Sequence, residues 1–139
     1  MKKFFLYLAL SFMLFAQTIT IYESPTCECC TKWSSYLKKN GFKTKDVKVA
    51  NFYDYKNKYN IPENMRSCHT GYVEGYFLEG HIPAEDIQKL LQQKPSDIIG
   101  LSVPNMPIGS PGMEQGDYKE NYNTYAIKKD GSIIIWSRH

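Results

Sequence analysis

The stretch Thr18-Ile19-Thr20-Ile21-Tyr22-Glu23-Ser24-Pro25-Thr26-Cys27-Glu28-Cys29-Cys30-Thr31-Lys32-Trp33-Ser34-Ser35-Tyr36-Leu37-Lys38-Lys39-Asn40-Gly41 decides the fold. Its first five residues alternate in a β-branched pattern and read as a buried strand. Glu23 to Thr26 turns the chain into three cysteines. From Cys29 to Asn40 the apolar spacing becomes helical, with Cys30, Trp33 and Leu37 at i, i+3 and i+7. Asn40-Gly41 stops the helix, because glycine accepts the left-handed conformation at C′. Phe42 to Val49 returns to strand character. The unit is β–loop–α–β, with the cysteines at the N-terminus of the first helix. There the helix dipole and free N–H groups favour a thiolate.

Downstream, Asn51 to Tyr59 reads as a short aromatic helix that ends before Pro62. Residues 67–80 read as strand or hairpin. Pro83 opens a second clear helix at its N1 position, with Glu85 and Asp86 in the first turn and Ile87, Leu90 and Leu91 as its core stripe. Ile98 to Val103 is a strand, and a loop rich in Pro, Gly and Met follows from Pro104 to Glu114. Tyr125-Ala126-Ile127 and Ile133 to Trp136 flank Asp130-Gly131, a hairpin signal. Strands alternating with helices, closed by a hairpin, predict an α/β fold with a mixed sheet.

Residues 1–16 read as a secretory signal, with Lys2 and Lys3 before the apolar run Phe4–Phe15 and Ala16 at the cleavage point. The run is short of the roughly twenty residues that span a bilayer. Residues 17–139 are then one domain, expected in the periplasm with no membrane attachment. Without Lys2 and Lys3, the 17 basic residues fall to one more than the 14 acidic residues. With no basic run, nucleic acid is not an expected partner. The domain is long enough to bury a core without disulfide staples, which leaves its four cysteines free for chemistry.

Cys27, Cys29 and Cys30 offer either a C-x-C or a C-x-x-C pair, and Cys68-His69 adds a fourth thiol and an imidazole. Such a cluster suits soft-metal capture or thiol–disulfide exchange. A purely structural bridge from the cluster to Cys68 is the plainer alternative. Three cysteines within four residues fit a tetrahedral zinc site poorly. Met106 and Met113 lie in a loop too rich in Pro and Gly to be core helix, and thioethers favour Cu(I) over zinc. His81 precedes a helix and is expected to point back at the cysteines. His69 reads equally as surface or site, and the terminal His139 is expected to fray.

A strand leading through Pro-Thr into C-x-x-C at a helix start resembles the thioredoxin superfamily, from which the extra Cys29 departs. The chain as a whole resembles the CopG-like family of periplasmic copper-resistance proteins. The likeness rests on Cys27-Glu28-Cys29-Cys30, Ser67-Cys68-His69-Thr70, Val73-Glu74-Gly75-Tyr76, Glu79-Gly80-His81-Ile82-Pro83-Ala84 and Val103-Pro104 with Gly109 to Glu114. It implies a thioredoxin-like sandwich that binds copper and changes its redox state. It also implies Cys27, Cys29, Cys30 and Cys68 as thiolate ligands, with His81, Met106 and Met113 as further donors. The expected cargo is Cu(I), several ions at once, with Cu(II) accommodated during redox cycling and a copper-efflux or redox partner in the periplasm. The competing expectation is a thiol–disulfide oxidoreductase in which Cys27 attacks and Cys30 resolves.

Overall fold

The computed structural model describes residues 17–139, so the secretory signal expected at residues 1–16 lies outside the described residues. Seven strands, β1 (Thr18–Glu23), β2 (Lys43–Lys48), β3 (Thr70–Val73), β4 (Tyr76–Glu79), β5 (Ile98–Ser102), β6 (Asn123–Lys128) and β7 (Ile133–Arg138), form one sheet. Their order is β2-β1-β3-β4-β5-β6-β7. Helix α1 (Glu28–Lys39) connects the parallel pair β1–β2, and α3 (Ala84–Gln93) connects the parallel pair β4–β5. All other neighbours are antiparallel, so the sheet is mixed and the fold α/β, as the alternation of elements predicts. The C-terminal hairpin β6–β7 is present. Among the described residues, no helix is long and apolar enough to cross a membrane.

The face carrying Ile19 and Ile21 packs on α1 and α3. Trp33, Leu37, Ile87 and Leu90 are fully buried there, against Leu78 and Leu101. Burying such side chains stabilises the fold by roughly 1.5–3 kcal/mol each. The other face holds a smaller core of Ile61, Met65, Phe77 and Ile127 beneath α2 (Tyr53–Lys58) and a 3₁₀ turn at Glu63–Met65. Stacked rings join α2 and its C-terminal flank to the sheet, Tyr55 on Tyr22 with centroids 3.6 Å apart and Tyr59 on Tyr72 at 4.4 Å.

Two local expectations shift. Pro83 is the N-cap of α3 rather than its first residue: its ψ of 139° is extended, and its carbonyl accepts the N–H of Asp86 at 3.0 Å. The Tyr36 hydroxyl accepts the next N–H, that of Ala84, at 2.9 Å, so α1 caps α3. The tightest hairpin is β3–β4, where Glu74 (φ 46°) and Gly75 (φ 89°) make a two-residue turn with both dihedrals positive.

Candidate metal centre

Cys27 is the N-cap of α1, and the i, i+3 spacing brings Cys30 under it on the core side. The two form a disulfide with Cα atoms 5.4 Å apart. Cys29 and Cys68 are free. Strand β3 brings Cys68 to the head of α1, because pairing of Tyr22 with Thr70 sets the end of β1 beside the start of β3. Cys29 Sγ lies 3.4 Å from Cys27 Sγ and 3.6 Å from Cys68 Sγ. The four sulfurs all fall within 4.8 Å of one another.

Two imidazoles join the sulfurs, that of His81, which points back at the cysteines as expected, and that of His69. His69 Nδ1 lies 3.2 Å from Cys68 Sγ, and His81 Nε2 lies 3.3 Å from the same atom. Each ring's other nitrogen faces a backbone carbonyl: His69 Nε2 that of Gly80 at 3.0 Å, and His81 Nδ1 that of Pro111 at 2.7 Å. A carbonyl only accepts, so those nitrogens carry the protons, and both lone pairs face the sulfur. Carbonyl anchoring of the distal nitrogen is the arrangement that orients a metal-ligating histidine. Both rings are fully buried. Burial holds His69 well below its ordinary pKa, with His81 adding to the effect, and burial likewise lowers His81. Both are therefore neutral, the form that binds metal.

One thiol proton cannot satisfy two lone pairs, so one buried nitrogen is left without a donor. A soft cation on Cys68 as thiolate would engage both rings at once. The donor set therefore fits a metal. Burial, and then the neighbouring Cys29, push the Cys68 thiol up to about 12. A metal ion, rather than pH alone, is what would deprotonate it.

The remaining expected donors separate. Met113 lines a cleft together with Cys29, Glu28, Lys32 and Gly112, at the rim of the sulfur cluster. Met106, 47% exposed, lines a different cavity with Pro104, Tyr118 and Tyr122. The loop between them approaches closely, and a Cβ at Gly112 would lie 3.2 Å from His81 Nδ1 and 3.0 Å from the Trp33 backbone nitrogen. At Gly80, φ is +81°, and a Cβ would strike the Val103 carbonyl oxygen. A side chain there would dislodge the carbonyl that anchors His69. Trp33 lies against the His69 ring with centroids 4.5 Å apart. The sequence signal for His69 was its adjacency to Cys68; nothing in the sequence marked the anchoring carbonyls.

A mixed α/β sheet with four sulfurs and two carbonyl-anchored imidazoles at the head of its first helix defines a class of protein with the donors of a soft-metal centre. Two solved structures share the architecture. "Copper resistance protein copG- Form 2" is 38% identical, with a TM-score of 0.85, and the alignment covers 89% of this chain and 98% of that one. "Copper resistance protein copG- Form 1" has a TM-score of 0.84 at the same identity and coverage. The chain belongs to the CopG family. Residues 65–113 also match the family described as "Protein of unknown function, DUF411". No curated protein matches the sequence.

Proposed function

We propose that this protein binds copper in the periplasm as part of copper resistance, taking Cu(I), once the Cys27–Cys30 disulfide is reduced, on Cys27, Cys29, Cys30 and Cys68 with His69 and His81 as nitrogen donors. The observation that carries the reading is the convergence of two neutral, fully buried imidazoles on Cys68 Sγ, at 3.2 and 3.3 Å. Cys68 belongs to both donor groups, the four sulfurs and the sulfur–nitrogen trio, so it suits a bridging role between ions. Thiolates favour Cu(I) and imidazoles also accept Cu(II), which lets one centre hold both states. Met113 supports the site from its rim, and Met106 lines a separate cavity. The relatives, named as copper resistance proteins, agree with this role.

The Cys27–Cys30 bond gives the centre a two-electron store. Two thiols passing to the disulfide release two electrons and two protons, enough to reduce two Cu(II) to Cu(I). Closing that cycle needs an external dithiol donor, and passing copper onward needs an efflux partner. The same disulfide favours a second reading, thiol–disulfide exchange with Cys27 as nucleophile and Cys30 as resolving thiol.

Anaerobic titration of the reduced protein with Cu(I) against a colorimetric chelator decides between them. Uptake of more than one ion, weakened by Met113→Leu and little changed by Met106→Leu, is expected. Uptake no tighter than that of a free dithiol would transfer the function to thiol exchange.

A further inference from the structure

Lys56, on α2, is fully buried, and its ammonium meets the Glu79 carboxylate, itself fully buried at the end of β4. Lys56 Nζ also donates to Thr70 Oγ1 at 3.0 Å, and the Thr70 hydroxyl donates to Glu79 Oε2 at 2.7 Å. Glu79 Oε1 accepts one further bond, from the backbone N–H of Ser67, at 2.9 Å. Ser67 and Thr70 bracket Cys68 and His69 in sequence. The network therefore grips both ends of the two-residue segment that carries the shared sulfur and one imidazole.

The pair's presence calls for a reason other than stability. Removing two charges from water costs as much as their attraction returns, and apolar replacements of similar volume are often neutral or stabilising. A carboxylate held in a dry interior is, however, a stiff acceptor that fixes a backbone N–H in place. Arg66 extends the same tie to α2: its side chain bonds Asn57 Oδ1 at 2.8 Å and the Ile61 carbonyl at 3.0 Å. The Ser67 hydroxyl reaches the Asn105 carbonyl on the opposite flank.

We infer that Lys56 and Glu79 are positioning residues for the copper centre, holding the Ser67–Thr70 segment so that Cys68 Sγ meets both histidine nitrogens. The inference rests on the copper reading of the site. Neither residue touches the ion; each acts through the Ser67 N–H and the Thr70 hydroxyl.

The double variant Lys56→Met/Glu79→Leu removes both charges and the acceptor while keeping the volume apolar. It is expected to melt within a few degrees of the wild type yet bind Cu(I) about 10- to 100-fold more weakly in the chelator competition. Its Cu(II) form should also lose the resolved nitrogen splittings in the electron paramagnetic resonance spectrum. A merely structural pair would lower the melting temperature and leave the affinity of the folded fraction unchanged. Wild-type affinity and spectrum in a folded double variant would overturn the assignment. Should that variant fail to fold, Thr70→Val decides, since it removes the hydroxyl that ties the segment to Lys56 and Glu79 while leaving the two charges paired. Weakened affinity in the folded protein supports positioning, and wild-type affinity overturns it. The wild type is titrated first; a wild type that holds no copper removes the copper reading itself, whatever the variants do.

Discussion

Two histidine clusters flank the head of α3, and their partners set them apart. At β3–β4, His69 and His81 bond only to backbone carbonyls and to one sulfur, so a lone pair is left over. Where the end of β7 meets the start of β6, His139 Nε2 lies 2.9 Å from Asp86 Oδ2 and 2.9 Å from Ser137 Oγ. Thr124 and Ser137 donate to the same carboxylate at 2.6 and 2.7 Å, and Tyr122 stacks on the ring at 5.0 Å. The second cluster is closed: its donors and acceptors satisfy one another and clamp the last strand onto α3. A histidine by itself marks neither a ligand nor a clamp. The partner of its second nitrogen, and what faces its lone pair, decide which it is.

The sharpest way to break this contrast is to remove the atom the first cluster converges on. Cys68→Ser should weaken Cu(I) binding by more than about 100-fold, since loss of outer-layer partners alone costs about 10- to 100-fold. Serine is a hard donor and does not replace a thiolate for Cu(I). Fold stability should hold, because Cys68 is not in the disulfide. Chelator competition reads the first quantity and thermal melting the second. Undiminished binding would show that the imidazoles converge on Cys68 for a reason unconnected with copper.

The converse experiment acts on the closed cluster. Asp86→Ala strips the acceptor from Thr124, Ser137 and His139 and removes a negative charge from the first turn of α3. Hydrogen bonds to a charged group contribute about 1.5–3 kcal/mol, so a loss of roughly 2 kcal/mol in urea unfolding is expected, with copper affinity unchanged. If copper affinity fell as far as stability, the two clusters would be one functional unit.

How much of this the sequence carried depended on whether the information was local. Ile19 and Ile21 on one face of β1, and Cys30, Trp33 and Leu37 along α1, are buried as their spacing implied, since periodicity records which side of an element is covered. The cysteine cluster was legible for the same reason, and Cys68 and His81 followed from their motifs. Lys56 was not legible: α2 has only six residues, too few for its periodicity to show which face is covered. His139 was expected to fray, yet it pairs with Tyr122 through two backbone hydrogen bonds of 2.9 and 3.2 Å. Those contacts join residues far apart in the chain. The donor nitrogens of His69 and His81 depend on carbonyls of Gly80 and Pro111, which every residue possesses and no sequence pattern advertises.

The smallest expected effect is also the most direct test of the open cluster. His69 and His81 are held below the ordinary pKa of 6.5 by burial, so in the folded, metal-free protein they resist protonation that the unfolded chain accepts. The unfolded state then binds more protons below about pH 6.5, and stability must fall as pH falls. The contribution is complete above the unfolded pKa and is lost at up to about 1.4 kcal/mol per pH unit for each histidine. Glu23 and Glu79, pushed up by burial, act in the opposite sense, because the folded state takes up their protons first. The net slope is therefore not diagnostic, but the difference between wild type and His81→Phe is. Urea unfolding at about pH 7 and about pH 5 should show the variant losing less stability on acidification. Equal losses would mean that the His81 ring does not stay neutral as the protein is acidified, and a protonated ring has no lone pair to offer the sulfur's cargo.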